Sequence, residues 1–173
     1  MKAILSTLAA GALLAGCATF GEPPGPKAVA NLASTKGNSA SGTVTFVQQG
    51  GKVRVSGTIT GLKPNAEHGF HVHEKGDCSS GDGMSAGGHF NPLGKGHGHM
   101  SAVGKHAGDL PNLRADAYGV ATFSVDADGI TIGSGATDIV GKGLIVHRDP
   151  DDYKSQPVGN AGPRLACAVI AKG

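Results

Sequence analysis

The chain alternates apolar and polar residues in short runs. In 52–60, Val53, Val55 and Ile59 lie at period two against Arg54, Ser56, Thr58 and Thr60, which predicts a strand with one buried face and one wet face. Residues 43–48 precede it across Gln49-Gly50-Gly51, and a Gly-Gly step between β-rich runs predicts a hairpin. Ala121, Phe123 and Val125 alternate with Thr122, Ser124 and Asp126, ahead of a turn at Asp128-Gly129 and a further run from Ile130. Strands are also expected at 68–73, 113–116, 142–147 and 165–170. No stretch keeps a helical period over three turns. Short strands separated by turn residues predict an all-β chain, an antiparallel sandwich or closed barrel.

One region departs from this pattern. Gly76 to Gly108 spans 33 residues with 10 Gly and no strand alternation. Loops of that length inside a compact domain are either functional or disordered. This one carries Cys78, His89, His97, His99 and His106. A disordered linker has no reason to collect histidines, whereas a metal-folded loop does.

Composition narrows the class. At 173 residues the chain is one domain with tails, and a formal charge of +2 with no basic run gives no footprint for nucleic acid. With 30 Gly and no Trp, packing of large aromatics does not hold the core, so other ties are expected. Lys2 followed by the 14 small and apolar residues Ala3–Gly16 is shorter than the ~20 residues of a membrane-spanning helix and reads as a secretory signal, 1–16. Leu14-Ala15-Gly16-Cys17 looks like a bacterial lipobox, with Cys17 receiving lipid; ordinary cleavage near Ala10-Gly11-Ala12 is the alternative. Residues 17–28, rich in Pro and Gly, read as a tether, and 29–173 as the folded domain. The expected setting is the periplasm or cell envelope of a bacterium, with a lipid anchor as the sole membrane attachment. Cys78 and Cys167 then remain as an even pair in an oxidising compartment, paired on count and setting alone; two free thiols are the alternative.

The chemistry lies in the histidines. His71 and His73 alternate with Phe70 and Val72 on an expected strand, so both imidazoles share a face, and His147 ends another apolar run. Several imidazoles without thiolate suit copper or zinc. His89, His97, His106 and Asp109 offer three histidines and a carboxylate, a set that can close a tetrahedral zinc site.

Gly69-Phe70-His71-Val72-His73-Glu74, Gly88-His89-Phe90-Asn91-Pro92, Lys105-His106-Ala107-Gly108-Asp109, Val146-His147 and Gly159-Asn160-Ala161-Gly162-Pro163-Arg164-Leu165-Ala166-Cys167 together resemble copper,zinc superoxide dismutase, in unbroken order over residues 30–172. The resemblance implies a flattened eight-stranded Greek-key barrel with long metal-binding and electrostatic loops. It implies copper on His71, His73, His89 and His147, zinc on His89, His97, His106 and Asp109, and His89 as the bridge between them. Asp151 then resembles the family aspartate that accepts ring hydrogen bonds from His71 and His97, and Cys78 and Cys167 resemble the family disulfide. Arg164 resembles the arginine that orients superoxide, the substrate, which is disproportionated to oxygen and hydrogen peroxide. His68 and His99 fall outside the ligand set, as a structural histidine and an exposed loop residue. Whether the chain is a monomer or a homodimer stays open.

Two departures from the family stand out. The segment Tyr153–Val158 is shorter than the electrostatic loop of eukaryotic members and lacks its paired glutamates, leaving Lys75, Lys95, Lys105 and Lys154 as unranked candidates for steering. Pro163 replaces a small residue before Arg164. A non-catalytic, copper- and zinc-buffering envelope protein is the competing reading, and Arg164 beside a full ligand set argues against it. A structural β-sandwich adhesin has no use for either metal cluster.

Overall fold

The computed structural model describes residues 25–173. The expected signal segment, the lipid site Cys17 and most of the tether lie outside the described residues. Ten strands follow in order: β1 Lys27–Ser34, β2 Ser41–Gln49, β3 Lys52–Thr60, β4 Glu67–His68, β5 Phe70–His73, β6 Leu113–Arg114, β7 Ala121–Ala127, β8 Gly143–His147, β9 Arg164–Val169 and β10 Ala171–Lys172. The main sheet has the order β5-β8-β9-β1-β2-β3-β7, with β10 also on β1, and all its pairings are antiparallel. It curls into a flattened barrel, and Phe70 on β5 meets Phe123 on β7 edge to face, with ring centroids 5.4 Å apart. A large apolar cluster fills the inside, with Val44, Phe46, Val53, Val55, Ile59, Leu144 and Val146 all buried.

The hairpin forms as expected, with Gln49 opposite Lys52. Three expectations change. Strand β1 starts at Lys27, inside the segment assigned to the tether, because residues 27–32 pair with β2 and the Gly25 N–H already donates to Gln48. The run from Ile130 is a loop with one isolated bridge, Thr131 to Asp138. There the side chains take over the backbone groups a ladder would use: Thr131 Oγ1 donates to the Ser134 carbonyl, and Asp138 accepts from Gly133 N and Val140 N. The expected strand 68–73 is split at Gly69, which leaves β4 paired with β6 and β5 paired with β8.

Strand β5 has one sheet edge free, and the long loop closes it. Val72 N–H donates to Gly108, Phe90 N–H to Val72 and Glu74 N–H to Gly88, so both arms of the loop lie against the strand that bears His71 and His73. The Cys78–Cys167 disulfide fastens the same loop to β9. Fold and site are therefore coupled: the loop's histidines reach the strand's histidines because the loop protects an edge.

Candidate metal centre

Eight histidines are present and seven are buried, an unusual cost unless each ring is paired. One nitrogen of nearly every buried ring is fixed by a protein partner. His71 donates from Nε2 to Asp151 Oδ2 at 2.7 Å, His73 from Nδ1 to the Gly87 carbonyl at 2.9 Å, and His147 from Nδ1 to the Gly162 carbonyl at 3.0 Å. His97 donates from Nε2 to Asp151 Oδ1 at 2.9 Å. The β8–β9 pairing shifts register between Val146 and His147, with Leu165 as the extra residue on β9, so that His147 stands opposite Arg164.

The remaining nitrogens converge on two points. Ligand atoms of His71, His73, His89 and His147 lie within 4.8 Å of one another, as do those of His89, His97, His106 and Asp109. His89 belongs to both sets. Its Nδ1 lies 2.9 Å from Asp109 Oδ1, while its Nε2 faces the first set with no partner. His71 Nδ1 and His106 Nδ1 are also buried without partners. Each unpaired buried polar atom costs about 1–3 kcal/mol. A fourth, His68 Nε2, belongs to neither cluster, and the other three belong to residues of the two ligand sets, where a cation would pair them. Four imidazoles without thiolate suit copper, and three imidazoles with a carboxylate suit zinc, so the residues fit both metals.

Protonation agrees with ligation. Burial lowers the His71 pKa to about 4 and that of His147 to about 3, and it holds His73 well below its ordinary value, so these rings are neutral donors at pH 7. His97 differs: burial pushes it down, but hydrogen bonds to Asp109 and Asp151 outweigh that and raise it to about 9. Both carboxylates are held below the usual range; burial opposes this, and ring hydrogen bonds from His89 and His97 to Asp109, and from His71 and His97 to Asp151, overcome it. Without metal, His97 holds a proton that zinc would replace.

The model of the family described as copper/zinc superoxide dismutase matches residues 40–170. The chain belongs to the copper/zinc superoxide dismutase family. It is 41% identical over 170 residues to Superoxide dismutase [Cu-Zn] 2 of Aquifex aeolicus (strain VF5), covering 96% of this chain and 98% of that one. It is 46% identical over 151 residues to Superoxide dismutase [Cu-Zn] 2 of Brassica juncea, covering 83% and 96%. Among solved structures, that of the clock protein EA4 superposes with a TM-score of 0.77 at 45% identity, over 84% of this chain and 93% of that chain. Like its family, this dismutase is an oxidoreductase that converts superoxide to oxygen and hydrogen peroxide with copper and zinc as cofactors.

The other expected residues fall as follows. Arg164 is half-buried, and its Nη1 and Nη2 donate to the Gly83 and Gly87 carbonyls at 2.6 Å each. Gly87 is thus shared between Arg164 and His73, and the charge of Arg164 helps keep His73 and His147 neutral. His68 is buried and donates from Nδ1 to the His147 carbonyl, while His99 is exposed against Ser101. Lys75, Lys95 and Lys154 are exposed, and Lys105 donates to the carbonyls of His106 and Asp128. Sequence reasoning missed Gln156, which accepts from His97 N and donates to the His97 carbonyl, and Asn112, which brackets Asp151 by its main chain. Side chains that bind backbone leave no spacing signal in a sequence.

Proposed function

We propose that His71, His73, His89 and His147 hold the copper of this dismutase, that His89, His97, His106 and Asp109 hold its zinc, and that Arg164 receives the substrate anion. The observation that carries this reading is His89, which offers one ring nitrogen to each set. When bound, copper supplies the one-electron couple that takes two superoxide anions and two protons to oxygen and hydrogen peroxide, while zinc supplies a fixed, redox-silent charge. The chain's own residues do the rest. Arg164, always charged and forked, orients a small anion beside His73. His89 holds and passes a proton at Nε2, and Asp109 keeps its Nδ1 side oriented. Asp151 fixes the tautomers of His71 and His97 together, tying the two sets to one carboxylate.

The same proposal places the protein in the cell envelope. Cys17 carries lipid after removal of 1–16, and a lipid anchor is the membrane attachment; no helix among the described residues is long and apolar enough to cross a membrane. The Cys78–Cys167 bond supports an oxidising setting.

Metal analysis of single variants tests the ligand roles. His147→Ala is expected to lose copper and keep zinc, His106→Ala to lose zinc and keep copper, and His89→Ala to weaken both. Equal loss of both metals in the first two variants would contradict separate sites. Cys17→Ser is expected to move the protein from the detergent phase to the aqueous phase; unchanged partitioning would remove the anchor.

A further inference from the structure

We propose that Thr35, in the β1–β2 connection, is a positioning residue for Arg164. The inference rests on the reading of Arg164 as the anion-receiving group. Ladder pairing between β1 and β9 ends at Ser34 opposite Ala166. Thr35 carries it further with its own groups: its N–H donates to the Leu165 carbonyl at 3.0 Å. Its hydroxyl then donates to the Arg164 carbonyl at 2.7 Å, with Leu165 O at 3.1 Å. Thr35 is only 7% exposed, so this hydroxyl replaces a rung of ladder where water has little access.

The hydroxyl is itself oriented. Asn38 Nδ2 donates to Thr35 Oγ1 at 2.8 Å, which occupies the oxygen as acceptor and turns its hydrogen toward the two carbonyls. The same connection also reaches the other end of the arginine. Lys36 N–H donates to Gly81 at 2.7 Å, fastening the loop whose Gly83 and Gly87 carbonyls receive the guanidinium. A Cβ placed on Gly83 would lie 3.3 Å from Arg164 Cβ and Cδ and 3.5 Å from Thr35 Cγ2, so the three groups are packed together. One short connection thus holds Arg164 by its main chain and, through Gly81, steadies the acceptors of its fork. Its hydrogen bonds go to none of the metal-binding residues.

The test uses the copper- and zinc-loaded protein and azide, a small anion, titrated by the Cu(II) visible spectrum. Thr35→Val removes the hydroxyl at constant shape and is expected to weaken azide binding about 3- to 10-fold, the scale of one net hydrogen bond, with copper and zinc content unchanged. Thr35→Ser restores the hydroxyl and is expected to bind azide within about twofold of the intact protein. Asn38→Ala, at an exposed position, is expected to give a smaller loss in the same direction and serves if Thr35→Val does not fold. Arg164→Ala sets the scale. If Arg164→Ala weakens azide while Thr35→Val and Asn38→Ala do not, the positioning role is overturned and the reading of Arg164 stands. Equal losses in Thr35→Val and Thr35→Ser reduce Thr35 to packing and overturn it too. If Arg164→Ala leaves azide binding intact, the reading of Arg164 fails and takes the proposal with it.

Discussion

His71 donates its Nε2–H to Asp151 Oδ2 at 2.7 Å, with both side chains sealed from solvent. The other oxygen of Asp151 accepts from His97, so one carboxylate sets the ring orientation in both metal clusters. Groups that orient ligands in this way change metal affinity about 10- to 100-fold when removed. Asp151→Asn keeps the shape but can accept through one atom only. Zinc affinity, measured by competition with a chelator, is expected to fall within that range, and an unchanged affinity would leave Asp151 without an orienting role.

Gly159 guards the same contact. It is buried with φ +66, and a Cβ there would overlap Asp151 Oδ1 and stand 2.6 Å from His97 Nε2. Gly159→Ala is therefore expected to reproduce the zinc loss of Asp151→Asn and to cost about 1–3 kcal/mol in addition, from the strained backbone. Chelator competition and urea unfolding read the two effects separately.

The metal-stripped protein is expected to be most stable near neutral pH. Below that, the unfolded chain takes up protons at its histidines while buried His71 and His147 resist until about pH 4 and 3, so stability falls as pH falls. The depressed carboxylates Asp109 and Asp151 extend the loss at lower pH. On the alkaline side the sign reverses, because native His97 keeps a proton to about pH 9 that the unfolded chain has released. Melting temperatures from pH 4 to 10 check this, and His97→Gln is expected to flatten the alkaline limb. A flat alkaline limb in the unmutated protein would contradict the role given to His97.

Cys78 and Cys167 are 89 residues apart in sequence, and their bond closes a loop worth roughly 4–5 kcal/mol in the chain-entropy model. The double substitution Cys78→Ser with Cys167→Ser is expected to lower unfolding free energy by that order in urea. It also frees the loop that carries Gly83 and Gly87 from β9, so azide binding is expected to weaken together with stability. Azide binding unchanged in the folded double variant would show that Arg164 is held without the bond.

Much of this was legible in the sequence because the site is written in residue types. Strand alternation places His71 and His73 on one face, and the loop histidines stand out in a segment with no strand pattern. Family resemblance then supplied the ligand grouping that spacing left open. The strand start at Lys27 was hidden by Pro26 and a polar first residue, since its partner, β2, lies beyond a turn. The Ile130 run has the composition of a strand, and only the hydrogen bonds of Thr131 and Asp138 show why it is a loop. Gln156, Asn112 and Thr35 act on backbone groups distant in sequence, which no local pattern encodes.

Superoxide decay after pulse radiolysis, followed with the copper- and zinc-loaded protein and with its His147→Ala variant, tests the assignment of the reaction to the His71, His73, His89 and His147 cluster. The intact protein is expected to speed the decay catalytically at concentrations far below superoxide, and the variant to leave it near the uncatalysed rate. Unimpaired catalysis by His147→Ala, or none by the intact, fully metallated protein, would contradict it.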